Sequence, residues 1–115
     1  MPDGQTLPEQ TRLALFRIYQ AALINVTRHA AARQVFIRFS LAEEQVVLEI
    51  QDDGQGFELP ERWIEMARQG HLGLIGMVER VESIGGQLNV VSAPGQGTLI
   101  QAIVPRLNKK GDKAD

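Results

Sequence analysis

No cysteine occurs in the 115 residues. That excludes disulfide staples, thiol nucleophiles and cysteine-ligated metal, and it fits a reducing compartment. No apolar run approaches the ~20 residues that a helix needs to cross a bilayer, and no signal peptide is visible. A surplus of positive charge is missing too. The formal net charge is -2, so no global basic field points to nucleic acid. Internal repeats and low-complexity linkers are also absent. What remains is ordinary. The length suits one compact domain, and 43% apolar with 23% charged residues supplies a core without covalent staples.

Residues 1–8 are polar with two prolines and read as a flexible N-terminal segment. The stretch from Asn108 to Asp115, "NKKGDKAD", is charged with little to bury, and disorder is expected there. Residues 9–107 are left as the folded domain. A helical period runs from about Glu9 to Ala31, with Phe16, Tyr19, Leu23, Val26 and Ala30 as its apolar stripe. Ala21, Asn25, Arg28 and His29 fall on roughly the opposite side. "QVFIRFS" and "QVVLEIQ" alternate with period two around a polar hairpin connection. Pro60 to Arg68 suits a short helix. Leu74 to Ile84 suits a longer one, stopped by Gly85-Gly86. "QLNVVS" and "GTLIQAIVP" are two further strands joined by the turn "APGQG". This order predicts an α/β (α+β) two-layer sandwich, with helices on one face of a mixed or antiparallel sheet.

Three segments combine glycine with a polar group: Asp52-Asp53-Gly54-Gln55-Gly56, Gly70-His71-Leu72-Gly73-Leu74-Ile75-Gly76, and Gly95-Gln96-Gly97-Thr98. Taken singly, each is a turn before it is a site. The second runs into a helix, whose N–H groups and dipole suit phosphate. It is neither a dinucleotide fingerprint nor a P-loop, because no GxGxxG follows a strand and no Gly-Lys-Ser/Thr follows the glycines.

Taken in order, "YQAALINVTRHA", "DDGQGF", "GHLGLIGMVERVESIGG" and "SAPGQGT" resemble the ATP-binding domain of sensor histidine kinases. The likeness is narrower still to the subfamily with a short ATP lid, typified by nitrate and membrane-fluidity sensors. The wider superfamily includes gyrase, heat-shock chaperones and mismatch-repair ATPases. The resemblance covers Leu13 to Pro105 and implies a Bergerat-type ATP-binding fold.

It also implies roles. Asp52 would accept a hydrogen bond from the adenine amino group, as an ionised carboxylate can. Gly54 and Gly56 would let the backbone pass close to base and sugar. Asp53 stands where the family often has Asn and reads as a solvated turn acid. Asn25 would ligate Mg²⁺ through its amide oxygen, which suits an ion that keeps much of its shell as water and phosphate. Arg28 and His29 would reach phosphate oxygens, although a helix-surface basic pair explains them almost as well. Gly73 and Gly76 would permit tight turning and bring N–H groups to the phosphates, and Leu74 joins this ATP-binding set while packing its side chain. The stretch from Phe57 to Leu72 would be the lid, with Trp63 packing in it. Thr98 would support the adenine pocket through its hydroxyl, although a β-branched strand starter explains it equally.

Two departures limit the analogy. Related chains often read "QEAL" where this one reads Gln20-Ala21-Ala22-Leu23, so the candidate base or water-positioning acid is Ala21. A methyl group can do neither task, and Gln20 points about 100° away on the helix. The catalytic residue is therefore unassigned. The phosphorylated histidine of the family lies on a separate dimerisation domain, and neither His29 nor His71 sits in such a hairpin. The resemblance thus implies a domain that binds ATP and Mg²⁺ and donates the γ-phosphate to a histidine outside this chain. A response regulator would act downstream. The setting would be cytoplasmic, in a parent that could carry a membrane anchor, with no nucleic acid and no direct membrane contact. Two alternatives stay open: a serine/threonine kinase of the anti-sigma type, and a catalytically degenerate ATP-sensing module, which Ala21 motivates.

Overall fold

The computed structural model describes residues 7–27, 31–58, 65 and 72–106. Its elements are α1 (Glu9–Asn25), β1 (Val35–Leu41), β2 (Gln45–Asp52), α2 (Leu72–Ser83), β3 (Gln87–Ser92) and β4 (Thr98–Pro105). The strands form one sheet in the order β1-β2-β4-β3. All three pairings are antiparallel, so of the two expected sheet types the described sheet is the antiparallel one. Strand ends fall within a residue of those expected. The helix expected over Pro60–Arg68 lies outside the described residues, Glu65 apart, as do residues 1–6 and 107–115.

Alternation on the strands decides which face is covered. Val46, Leu48 and Ile50 on β2, and Ile100, Ala102 and Val104 on β4, point to one side and are buried. Leu15, Ile18 and Ala22 of α1 and Leu74, Met77 and Val81 of α2 close over them in one core. Each set recurs at three- and four-residue steps, as one face of a helix requires. Ile18, Ile50 and Met77 are essentially inaccessible. Each such side chain contributes about 1.5–3 kcal/mol by leaving water.

The face that α1 buries differs from the expected stripe. Thr11, Leu15, Ile18 and Ala22 are buried. Phe16 is 53% exposed, and Tyr19 is only partly buried. The helix is apolar on two adjacent sides, and periodicity alone cannot rank them. Contact with α2 and the sheet selects the Leu15-Ile18-Ala22 side. Phe16 and Tyr19 instead line an apolar groove of about 530 Å³ with Leu7, Leu15, Phe39 and Leu48.

The opposite face of the sheet is mixed, with Phe36 and Val91 exposed on it beside a polar row. One row across four strands joins Asn89 to Gln101 (2.9 Å), Gln101 to Glu49 (2.6 Å) and Glu49 to Arg38 (3.7 Å). These residues are registered cross-strand partners. Helix α2 ends where expected: Gly85 takes φ 82, and the Gly86 N–H donates to the Val81 carbonyl at 2.9 Å.

Candidate functional site

A second row of partners crosses the sheet at its other end, on the face that the helices cover. Val35 pairs with Asp52, Asp52 with Thr98, and Thr98 with Ser92. In β2 the period that buries Val46, Leu48 and Ile50 brings Asp52 next onto the same face. A carboxylate therefore sits where an apolar side chain would be expected. Asp52 and Thr98 are each 5% exposed. The Gly54 N–H donates to Asp52 Oδ1 at 2.8 Å. Oδ2 has no hydrogen-bond partner among the described residues. A buried carboxylate oxygen without a donor is costly unless something supplies one.

The loop after β2 is held against the β3–β4 turn. The Gly95 N–H donates to the Gln55 carbonyl at 2.7 Å. Gly56 has φ 64, and a Cβ there would collide with the Ala93 carbonyl oxygen. Gly97 has φ 72, and its Cβ would strike the Asp52 carbonyl oxygen. Both glycines are thus required by packing of the chain on itself, a reason the sequence reading did not give.

Ser92 joins these parts and was not singled out from the sequence. Its Oγ accepts from the Phe57 N–H at 2.9 Å, donates to the Gly97 carbonyl at 3.0 Å and lies 2.9 Å from Thr98 Oγ1. The available signal was period: Leu88, Val90 and Ser92 alternate on the core side of β3, so a hydroxyl stands at an apolar position.

Asp53 is solvent-exposed, as expected of a solvated turn acid, and it also has an anchoring role. Its Oδ1 accepts from the N–H groups of Arg33 (2.9 Å) and Gln34 (3.0 Å). The Gln34 N–H, and then that of Arg33, hold its carboxyl below the ordinary value of 3.8. The acid thereby fastens the segment that follows α1 to the end of β2.

On α2, Gly73 and Gly76 lie within the helix rather than in a tight turn. A Cβ at either would meet nothing within 4 Å. Nothing in the described structure requires glycine there, and each weakens a helix by about 1 kcal/mol relative to alanine. Leu74 is 1% exposed, so its side chain belongs to the core and only its backbone remains for a ligand. Asn25 is the last residue of α1, half-buried, and its amide makes no hydrogen bond to another described residue. Ala21 is partly buried against the core, and Gln20 is exposed. Arg28 and His29 lie outside the described residues. No described helix is long and apolar enough to cross a membrane.

A family model described as "Histidine kinase-, DNA gyrase B-, and HSP90-like ATPase" matches residues 10–108. The chain is 36% identical over 102 residues to the signal transduction histidine-protein kinase/phosphatase DegS of Brevibacillus brevis, covering 89% of this chain and 25% of DegS. It is 40% identical over 101 residues to the sensor protein VraS of Staphylococcus saprophyticus, covering 88% of this chain and 27% of VraS. The histidine kinase domain of the Erythrobacter litoralis EL346 blue-light activated histidine kinase is similar in structure. Its TM-score is 0.68 at 28% identity, over 86% of this chain and 46% of that one. The chain spans about a quarter of the length of the curated relatives it matches. With the buried carboxylate row and these matches together, the chain belongs to the histidine kinase-, DNA gyrase B- and HSP90-like ATPase family.

Proposed function

We propose that residues 9–107 form the ATP-binding catalytic domain of a two-component sensor histidine kinase. The observation that carries this reading is Asp52, a buried carboxylate with one oxygen fixed by Gly54 and the other without a donor among the described residues. An exocyclic amino group of adenine supplies that donor. Thr98 is the registered partner of Asp52 at the same end of the sheet. The open face of Gly73 and Gly76 supports close approach of phosphates to the start of α2, where N–H groups and the helix dipole favour negative charge.

The residues present fit Mg²⁺ in one respect. Asn25 offers a neutral amide oxygen that no described residue occupies, and magnesium takes few protein ligands beside phosphate and water. When bound, the ion would neutralise charge on the phosphates. The chain's own work is positioning: Asp52 fixes the base, Asn25 the metal side, and α2 the phosphate end. The phosphoacceptor histidine, its dimerisation domain, the response regulator and a cytoplasmic setting belong to the proposed parent.

Calorimetric titration of Mg·ATP into the wild type and Asp52→Asn tests the reading. Saturable binding that Asp52→Asn weakens at least about ten-fold supports it. Absence of binding by the folded wild type contradicts it. One observation favours a second reading, ATP sensing without catalysis: the side chain at position 21 is a methyl packed toward the core. Normal autophosphorylation of the parent protein would remove that second reading.

A further inference from the structure

We propose that Ser92 sets the polarity of the base-reading end of the pocket, because it takes up the hydroxyl proton of Thr98 and leaves Thr98 only lone pairs to offer a ligand. The inference rests on the ATP-binding reading above and names the residue that gives that site its choice of base.

The assignment follows from counting valences. A serine hydroxyl has one proton and two lone pairs. The Phe57 N–H, 2.9 Å from Ser92 Oγ, can only donate, so it uses one lone pair. The Gly97 carbonyl, 3.0 Å away, can only accept, so it takes the proton. One lone pair remains for Thr98 Oγ1 at 2.9 Å, and Thr98 must be the donor. Every valence of Ser92 is then used once.

Thr98 without this partner is a free rotor that can donate or accept. Held by Ser92, it presents only acceptor capacity beside its registered partner Asp52, which is acceptor-only when ionised. Both groups are buried, so a mismatched ligand group cannot turn to water instead. A 6-amino purine brings N–H donors to such a pair. A 6-oxo purine brings a carbonyl oxygen in place of that amino group; the carbonyl finds acceptors and no donor, and only the neighbouring N1–H can donate. Ser92 touches no ligand in this scheme; it is a positioning residue that acts through Thr98.

The test compares dissociation constants of Mg·ATP and Mg·ITP, which differ in the 6-amino and 6-oxo groups and in the proton that the 6-oxo purine carries on N1. Wild type, Ser92→Ala, Thr98→Val and the double variant are measured. Ser92→Ala frees the Thr98 proton, so the ATP/ITP preference should fall about ten-fold, mainly through tighter ITP binding. In the Thr98→Val background the serine change should leave the ratio unmoved. A merely structural serine would weaken both nucleotides alike, and an unchanged ratio in Ser92→Ala overturns the proposal. A wild type that binds neither nucleotide overturns the ATP reading together with this inference, whereas retained ATP binding with an unmoved ratio overturns the inference alone. Should Ser92→Ala not fold, the hydroxyl protons of the wild type decide by NMR. A Thr98 proton directed at Ser92 supports the assignment, and one directed at Asp52 contradicts it.

Discussion

Asp52 and Thr98 face each other as registered partners on β2 and β4, both buried at the end of a sheet whose core-facing positions are otherwise apolar, Ser92 of β3 beside Thr98 excepted. Two polar side chains at core-facing positions, on strands far apart in sequence, support the proposed reading of this end of the fold as a ligand site. The consequences are testable residue by residue.

The first concerns glycines that the chain needs for itself. Gly56→Ala and Gly97→Ala each force a Cβ into a carbonyl oxygen at a left-handed backbone position. Each should destabilise the domain by about 2 kcal/mol or more, measured by denaturant unfolding. An effect of a few tenths would mean that the loop after β2 does not lie against the β3–β4 turn as described.

The opposite behaviour is expected on α2. Gly73→Ala adds a methyl that meets nothing among the described residues, at a helical position, so stability should rise by about 0.5–1 kcal/mol. Mg·ATP binding should weaken in the same variant if that open face receives phosphate. A variant that gains stability and keeps its affinity would remove α2 from the ligand's path.

Core position is tested on α1. Ile18→Ala should cost about 2–5 kcal/mol, because Ile18 is fully buried between α2 and the sheet. Phe16→Ala, on the neighbouring side, should cost far less despite the larger side chain, since Phe16 is half exposed. Thermal or denaturant unfolding of the two variants ranks the two sides directly.

Asp53 supplies a pH dependence. Its carboxyl is held below 3.8 by the Gln34 and Arg33 N–H groups, so the folded pKa is the lower one. The stabilisation is therefore full above the ordinary carboxylate value and is lost as pH falls through the folded value. Amide exchange at Arg33 and Gln34 should accelerate across that acid range. Asp53→Asn, which keeps an acceptor oxygen but no charge, should show weaker protection there and no such acid step.

Much of this was legible from residue types and spacing. The strands announced themselves by period two, and Gly85-Gly86 by its helix-stopping chemistry. Asp52 and Thr98 were marked by their glycine boxes, and the ordered motifs gave the family resemblance. Other features depend on tertiary contact. Which of two apolar sides of α1 is buried is decided by α2 and the sheet, not by period. Asp53 became an anchor only because Gln34 and Arg33 fold back to it over nineteen and twenty residues. Ser92 lay in view at a core-facing position of β3. Its three partners sit on the β2-end loop and the start of β4, which no local reading joins.

The most direct measurement is a map of backbone amide shifts by NMR as Mg·ATP is added to the wild-type chain. The account predicts saturable shifts concentrated at Gly54, Thr98 and the Gly73–Gly76 turn of α2. Shifts centred instead on the apolar groove of Leu15, Phe16 and Phe39, or none at all, would contradict a nucleotide site at the Asp52 end of the sheet.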